Sequence, residues 1–289
     1  MNRRDLLAGA IGAGVLMEAA TAKAGTDKVI RLWPGDAPGS EGVTVTETMT
    51  DNREKPDQPN RSFKGVRVPD LTIRFPEKPN GAAMLVLPGG GFNSVVFDKE
   101  GSEIAAWLAT LGFTAGTLKY RLPADGWKAG TDVALQDGQR ALRLMRQAVG
   151  GGKTGVIGFS AGGALGAMLA TRFAERFDGT VDAADAQPAR PDYAALIYPG
   201  YPADLAVFPP GQAKGVPADM PPVFIAHAAD DPKAPPIASL YVANVLMNRK
   251  IPVELHLFET GNHGFALRRG PADRWPGLFD AWSKTHLKA

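Results

Sequence analysis

The chain has 289 residues, which is enough for one large domain with a two-sided core, and its 44% apolar and 21% charged residues are typical of a globular protein. Its formal net charge is +2 and it contains no basic block, so nothing in the charge pattern points to a nucleic-acid partner. The absence of cysteine excludes disulfides, thiolate metal sites and a cysteine nucleophile.

The first 24 residues have the pattern of an export signal. Two adjacent arginines precede an apolar run at residues 6–17, and Ala-Lys-Ala at 22–24 is a small-residue cleavage site. The arginine pair followed by two leucines resembles a bacterial twin-arginine signal. The apolar run is too short to span a bilayer comfortably. We predict an export signal at 1–24 and one domain at 25–289, hence a periplasmic or secreted protein without stable membrane insertion; an uncleaved amphipathic segment is the alternative.

Short β-prone segments occupy the chain between this signal and residue 82. Apolar and polar residues alternate around residue 72, as in a half-exposed strand, and Pro69 places that strand at a sheet edge or a bulge. We predict strands or edge segments at residues 29–34, 43–46, 66–68 and 71–75, with loops at 35–42 and 51–60.

From residue 82 onward, strand-like and helix-like segments alternate. The first of them, AAMLVL, is continuously apolar, as in a parallel strand buried on both faces. The predicted strands are 82–87, 114–120, 156–157, 193–198, 223–226 and 253–258, and the predicted helices are 103–111, 132–149, 164–173, 238–247 and 275–287. The alternation predicts an α/β fold with right-handed crossovers and helices on both faces of a mostly parallel, twisted sheet of about eight strands. Residues 199–222, rich in proline and glycine, are predicted to form a loop or small lid.

The stretch TGVIGFSAGG at residues 154–163 places a serine between a strand and a helix. This is the Gly-x-Ser-x-Gly context in which a nucleophilic serine sits on a sharp, strained turn. A Cβ atom at Gly158 or Gly162 would collide with the neighbouring strand or helix. We therefore predict that Ser160 presents its hydroxyl above the sheet at a helix N-terminus; a plain glycine-rich turn is the alternative.

A serine hydroxyl needs a base within hydrogen-bond reach and an acid that orients the base. In α/β-hydrolases the order along the chain is serine, then acid, then histidine, each in a loop after a strand. His263 fits as the base because it lies in a glycine-flanked loop after the strand at 253–258. The other histidines fit less well: His227 comes too soon before the acid loop, His256 lies inside a strand, and His286 lies in the last helix.

Two adjacent aspartates follow the strand at 223–226. We favour Asp231 as the acid because it stands four residues before Pro235, as in the common pattern D-x-x-V-P. Asp230 remains the alternative. The residue that does not orient the histidine is expected to cap the following helix or to face water.

Acyl transfer also requires donors for an oxyanion. The backbone amide of Ala161, directly after the serine, is one candidate. Gly90 and Gly91 are the others, since they lie after a buried strand where lipases carry His-Gly-Gly-Gly. Pro88 stands in place of that histidine, so only the glycine role is expected here.

Several of these stretches together resemble bacterial α/β-hydrolase esterases related to acetylxylan esterases and to feruloyl-esterase-like proteins, often labelled xylanase-B-like. The resemblance runs from about residue 29 to residue 270. It rests on LWPG at 32–35, PGGGF at 88–92, DKEG at 98–101, LKYRLP at 118–123, GFSAGG at 158–163, the aspartates at 230–231, and HGF at 263–265.

The resemblance implies an α/β-hydrolase fold with Ser160, Asp231 and His263 as a triad, no cofactor or metal, and small acyl esters as substrates. We predict a serine carboxylic-ester hydrolase that removes acetyl groups from xylan or xylo-oligosaccharides through an acyl-enzyme. One alternative is a prolyl-oligopeptidase-like peptidase, which is disfavoured because no propeller domain precedes the hydrolase part. The other is a non-catalytic binding protein on the same scaffold. The sequence does not give the oligomeric state.

Overall fold

The computed structural model describes residues 27–177, 181–201 and 216–287. The predicted export signal at 1–24 lies outside the described residues, and so does the 202–215 part of the predicted loop or lid. No helix within the described ranges is long and apolar enough to cross a membrane.

Eleven strands within these ranges form two sheets. The large sheet has eight strands in the order β1-β4-β7-β5-β8-β9-β10-β11, and β2, β3 and β6 form a small second sheet. The strands are β1 (Asp27–Arg31), β2 (Thr48–Asp51), β3 (Arg61–Lys64), β4 (Asp70–Arg74), β5 (Ala83–Leu87), β6 (Val95–Val96), β7 (Thr114–Lys119), β8 (Thr154–Phe159), β9 (Ala194–Ile197), β10 (Val223–Ala228) and β11 (Val253–Phe258).

The large sheet is mixed rather than purely parallel. Strands β7, β5, β8, β9, β10 and β11 run parallel to one another. Strand β4 lies antiparallel to both β1 and β7, so the antiparallel part is confined to one side of the sheet. The predicted α/β fold with a mostly parallel sheet of about eight strands is confirmed.

The N-terminal strands differ from the prediction in position. The predictions of strands at residues 43–46 and 66–68 are wrong, because both segments lie outside the strands. Val43 packs instead with Trp127 and Val133 in a small apolar cluster of their own. Strands β2 and β3 were not predicted, because they are short, polar and poorly buried and so carry no apolar pattern.

Five α-helices within the described ranges cover both faces of the large sheet. They are α1 (Glu103–Thr110), α2 (Asp132–Ala148), α3 (Ala161–Thr171), α4 (Ile237–Asn248) and α5 (Trp275–Leu287). Apolar residues of α1 and α5 belong to one buried cluster, and those of α2, α3 and α4 belong to another. Strand β5 joins the two clusters by alternation, since Leu85 and Leu87 point to one and Met84 and Val86 to the other.

The carboxyl ends of the parallel strands carry the residues that the sequence singled out. Gly90 and Gly91 follow β5, Ser160 follows β8, Asp231 follows β10 and His263 follows β11. Because the carboxyl ends of parallel strands lie at one edge of a sheet, these loops meet there, where ligands of open α/β sheets bind.

Candidate active site

Ser160 occupies a strained turn between β8 and α3. Its backbone has φ 52° and ψ −119°, in the left-handed range that side chains other than glycine rarely adopt. The carbonyl oxygen of Ser160 accepts hydrogen bonds from the amides of Gly163, Ala164 and Gly200, at 2.9, 3.2 and 2.9 Å. These bonds fix the strained conformation, and they leave the serine side chain free to project from the turn.

The two glycines that flank the serine leave no room for a side chain. A Cβ atom on Gly158 would lie 2.1 Å from the carbonyl oxygen of Gly162. A Cβ atom on Gly162 would lie 2.0 Å from the carbonyl oxygen of Leu87, at the end of the neighbouring strand. The turn therefore has the close approach of helix to strand that the Gly-x-Ser-x-Gly pattern predicted.

The structure brings the predicted serine, histidine and aspartate together. Ser160 Oγ lies 2.9 Å from His263 Nε2, and His263 Nδ1 lies 2.7 Å from Asp231 Oδ2. Since Asp231 offers only acceptor oxygens when ionised, Nδ1 carries the proton, and Nε2 is left to accept the serine hydroxyl proton. This is the geometry of a serine with a base and an orienting acid.

The two adjacent aspartates occupy different positions relative to the His263 ring. Asp231 is buried and contacts the His263 ring, whereas Asp230 is exposed. Asp230 Oδ1 accepts a hydrogen bond from the amide of Asn262 at 2.7 Å. Asp230 therefore holds the loop that carries the histidine, a role that the sequence did not predict.

The Asp231 carboxylate is held by a turn of its own loop. Oδ1 accepts the amides of Lys233 and Ala234 at 2.8 and 2.9 Å. Burial by itself would raise the pKa of Asp231, but the amide of Ala234, the His263 ring and the amide of Lys233 stabilise the anion and hold its pKa below the usual value. The side chain therefore stays ionised at neutral pH.

The His263 ring is placed by its loop and by an aromatic neighbour. Tyr198, after β9, meets the imidazole edge-to-face at 5.2 Å between ring centroids, and Phe265 meets Tyr198 at 4.5 Å. Arg269 Nη2 donates to the carbonyl oxygen of His263 at 2.9 Å. These contacts limit the rotation of the ring away from the serine.

The three predicted oxyanion donors all line one cavity with Ser160. The amides of Gly91 and Ala161 donate no hydrogen bond to any described residue, so both remain available to a ligand. Gly90 has φ 126°, and a Cβ atom there would lie 2.1 Å from the carbonyl oxygen of Ser94, so this turn requires glycine. The arrangement offers backbone donors beside the serine.

The cavity over Ser160 has a volume of about 690 Å³, within the range of small-molecule sites. Its wall combines polar and apolar residues, and the polar ones include Asn52, Asn60, Ser62, Lys99, Tyr201, Lys233 and Arg269. Over the residues that the structure describes, no group of three or more histidine, aspartate or glutamate side chains is placed to hold a metal ion.

Glu100 is a buried carboxyl group in the lining of this cavity, and the sequence assigned it no catalytic role. Its Oε2 accepts the amide of Gly89 at 2.9 Å, and its Oε1 accepts the hydroxyl of Tyr198 at 3.0 Å. Burial raises the pKa of Glu100, and the nearby Lys99 ammonium partly counteracts this. The sequence signal was the DKEG stretch, but its partners lie 11 and 98 residues away along the chain, out of reach of local patterns.

A model of the dienelactone hydrolase family matches residues 124–286, which is more than half of the chain. The chain belongs to the dienelactone hydrolase family. The resemblance to α/β-hydrolase esterases inferred from the motifs is therefore confirmed.

Two curated relatives of this dienelactone hydrolase family member carry names from xylan degradation. An acetylxylan esterase of Xylanibacter ruminicola is 23% identical over 240 residues, covering 73% of this chain and 44% of the relative. An endo-1,4-beta-xylanase B of Butyrivibrio fibrisolvens is 28% identical over 223 residues, covering 69% of this chain and 34% of the relative. The chain thus matches less than half of the length of either relative.

Solved structures with the same fold include esterases. An acetyl ester-xyloside bifunctional hydrolase from Caldicellulosiruptor lactoaceticus has a TM-score of 0.69 at 25% identity, covering 91% of this chain and 98% of that one. A carboxylesterase from Lactobacillus plantarum has a TM-score of 0.61 at 21% identity, covering 84% and 97%, and shows the shared fold. The family match and the likeness to the acetyl ester-xyloside hydrolase confirm the predicted enzyme class, a serine ester hydrolase.

Proposed function

We propose that this dienelactone hydrolase family member cleaves acetyl esters on xylan or xylo-oligosaccharides, with Ser160 as nucleophile, His263 as base and Asp231 as the orienting acid. The observation that carries the proposal is the line of two hydrogen bonds, 2.9 Å from Ser160 to His263 and 2.7 Å from His263 to Asp231. Catalytic groups of a serine hydrolase need this contact distance and this order.

The first half of the reaction forms an acyl-enzyme. Ser160 Oγ attacks the ester carbonyl carbon while its proton passes to His263 Nε2, and the carbonyl electron pair moves onto the oxygen. The free amides of Gly91 and Ala161, with that of Gly90, stabilise this oxyanion. Each such donor typically contributes about 2.7–4 kcal/mol to the transition state. The intermediate collapses as the imidazolium protonates the leaving alcohol oxygen, which leaves acetyl-Ser160 and free alcohol.

The second half removes the acetyl group with water. His263 Nε2, neutral again, takes a proton from a water molecule that attacks the acyl carbon. The new oxyanion collapses, and the bond between Ser160 Oγ and the acyl carbon breaks. Ser160 Oγ takes the proton from His263 as it leaves. Acetic acid is released and the enzyme returns to its starting state. Asp231 keeps its negative charge beside the transient imidazolium in both halves.

A sugar as the alcohol part of the ester has two supports. The names of the acetylxylan esterase and of the acetyl ester-xyloside hydrolase concern acetylated xylan and xyloside substrates. The cavity wall also offers amide and hydroxyl side chains, from Asn52, Asn60 and Ser62, that suit hydrogen bonds to sugar hydroxyls.

The test is acetate release from acetylated xylo-oligosaccharides by the purified protein, with p-nitrophenyl acetate, a prolyl anilide and the Ser160→Ala variant alongside. We expect acetate from both esters, no cleavage of the anilide, and labelling of Ser160 alone by a fluorophosphonate. Loss of activity in Ser160→Ala with an unchanged circular dichroism spectrum identifies the nucleophile. Cleavage of the aryl acetate without acetate from any acetylated sugar would remove the carbohydrate assignment and leave a general esterase.

We also propose that residues 1–24 direct export, so that the enzyme acts outside the cytoplasm. The support is the charged, apolar and Ala-Lys-Ala succession of the sequence. The intact mass of the protein isolated after expression in a bacterium with twin-arginine export tests this. A mature chain that begins at Gly25 is expected, and a retained N-terminus in the cytoplasmic fraction would contradict export.

A further inference from the structure

His227 lies on the far side of Asp231 from His263, and the mechanism above does not use it. It is the next-to-last residue of β10, and its side chain is fully buried. Its Nε2 lies 3.2 Å from Asp231 Oδ2 and 3.0 Å from the carbonyl oxygen of Ala234, and its Nδ1 lies 2.8 Å from Ser239 Oγ. The orienting carboxylate therefore contacts two imidazoles, of which the sequence predicted one.

The partners of His227 fix which of its nitrogens carries the proton. Both neighbours of Nε2, a carbonyl oxygen and a carboxylate oxygen, only accept hydrogen bonds, so Nε2 must be the protonated nitrogen and must donate. Burial lowers the pKa of His227 in spite of the adjacent Asp231, so the ring is neutral. Nδ1 then accepts the hydroxyl proton of Ser239.

The consequence for Asp231 is a fully occupied carboxylate. Oδ1 receives two backbone amides, and Oδ2 receives Nδ1–H of His263 and, at longer range, Nε2–H of His227. The same His227 N–H also points to the carbonyl oxygen of Ala234, so it links Asp231 to Ala234 within the loop after β10. A second donor on Oδ2 fixes the plane of the carboxylate and spreads its charge over two partners.

We propose that His227 is a positioning residue for the proposed esterase reaction, in which its Nε2–H holds Asp231 Oδ2 in place and moderates the interaction of that oxygen with protonated His263. This inference rests on the proposed function. Removing the donor leaves more of the negative charge of Asp231 to the His263 imidazolium. The protonated, inactive base is then favoured at higher pH.

The charged and titratable groups around the two histidines are otherwise the same in the enzyme and in a His227 variant. His263 is faced by charged and titratable groups from four other segments. Because these groups act on His263 in both proteins, their effect cancels when the pH profile of the variant is compared with that of the wild type. These groups are Lys99, Glu100, Tyr198, Asp230, Asp231, Lys233 and Arg269.

Kinetics of three variants test the role. His227→Leu should move the acidic limb of the kcat/KM profile for p-nitrophenyl acetate to higher pH by about 0.5 to 1 unit. This is less than the roughly 1 to 2 units of a full hydrogen bond to a charged group, because the 3.2 Å contact is shared with the Ala234 carbonyl. His227→Gln, which retains an N–H donor, should lie between Leu and the wild type. Ser239→Ala disturbs the same buried contact but leaves Nε2–H on Asp231, so its acidic limb should stay in place. A folded His227→Leu enzyme with the wild-type limb would overturn the proposal.

A measurement on the unaltered chain covers the case in which His227→Leu does not fold. NMR of the protein labelled with ¹⁵N-histidine reports the tautomer of each ring, and the His227→Gln spectrum assigns the signal. We expect His227 as the neutral Nε2–H form across pH 6 to 8; an Nδ1–H form would remove the donor and the proposal with it. Failure of the folded wild type to cleave any ester would instead count against the proposed function, while the tautomer would still test the His227–Asp231 contact.

Discussion

The hydroxyl of Tyr198 lies 3.0 Å from Oε1 of Glu100, and this contact joins the two sides of the candidate site. The ring of Tyr198 packs against the His263 imidazole, while the other oxygen of Glu100 accepts the amide of Gly89, next to the predicted oxyanion residues. A Cβ atom on Gly89 would lie 2.6 Å from Glu100 Oε2 and 2.8 Å from Ser160 Cβ, which shows how tightly the carboxyl is inserted below the serine. One buried group therefore braces both the base and the glycine loop.

We expect Glu100→Leu to lower kcat for p-nitrophenyl acetate by about 100-fold, the size typical of a displacement of about 1 Å in a catalytic arrangement. Leucine leaves both the Gly89 amide and the Tyr198 hydroxyl without their acceptor. Glu100→Gln is the matched control, because its amide can accept from Gly89 and donate to Tyr198, and we expect it to stay within about 10-fold of the wild type. Equal losses in the two variants would mean that the charge of Glu100, not its hydrogen bonds, is what the site needs.

The adjacent aspartates provide a second prediction. Asp231→Asn should reduce kcat by about 10,000-fold. An amide in place of the carboxylate no longer stabilises the imidazolium and no longer holds the neutral His263 ring in its Nδ1–H tautomer. Asp230→Asn retains an oxygen for the Asn262 amide and should change kcat by less than about 5-fold. Steady-state kinetics of the two purified variants decide the matter, with fluorophosphonate labelling to show that the serine is still accessible. The reverse order of the two losses would assign the acid role to Asp230.

The positions that sequence reasoning predicted are those fixed by local sterics or by chain order. Gly158 and Gly162 predicted the strained serine because a pattern of five consecutive residues marks a turn that has no room for their Cβ atoms. His263 was predicted because its loop follows the last parallel strand. The roles of His227 and Glu100 were not predicted, because a role as a hydrogen-bond partner depends on contacts between segments that are far apart along the chain. Asp230 and Asp231 differ only in the direction in which a loop points each side chain.

The fold shows the same division. Buried parallel strands such as β5 and β9 were predicted because continuous apolar runs carry their own signal. The β2–β3 pair was missed because its residues are mostly polar. Its other partner, β6, has only two residues and gives no pattern of its own. The segment at 43–46 has β-branched residues, but no strand in the described part of the chain pairs with it, and Val43 packs against Trp127 instead.

Gly162→Ala tests the close approach beneath the serine turn. The added Cβ atom would lie 2.0 Å from the carbonyl oxygen of Leu87, and backbone on both sides must shift to admit it. We expect a loss of about 3 kcal/mol in the free energy of unfolding, measured by urea denaturation. Gly277→Ala is the control, because a Cβ atom there meets nothing within 4 Å and the position lies in α5, so the same helix-favouring change should be neutral or slightly stabilising. Equal stability of the two variants would show that the strand and helix can separate at no cost.

Asp98 anchors the turn that carries Glu100. Because the anchoring contacts need the ionised carboxylate, they make the stability of the fold depend on pH. Its buried carboxylate accepts the Arg61 amide at 2.7 Å, the Arg61 guanidinium at 2.7 and 2.9 Å, and the Ser102 hydroxyl at 3.0 Å. Burial by itself would raise the pKa of Asp98, but the Arg61 side chain, the Arg61 amide and Ser102 together hold its pKa below the ordinary value of 3.8.

The sign of the effect follows from that lowered pKa. The ionised carboxylate contributes its full stabilisation above about pH 4, and the contribution is lost as the pH falls through the folded-state pKa. Asp98→Asn should therefore lower the free energy of unfolding at pH 7 by about 1 kcal/mol, a modest amount because the side chain of Arg61 is 41% exposed and water screens the pair. The difference from the wild type should shrink as the pH falls from 4 to 2.5. Urea denaturation of both proteins at pH 7, 4 and 2.5 measures it, with the exposed Asp36→Asn as a control that should show no such convergence. A difference that stays constant over this range would mean that the ionised form of Asp98 is not what stabilises the turn.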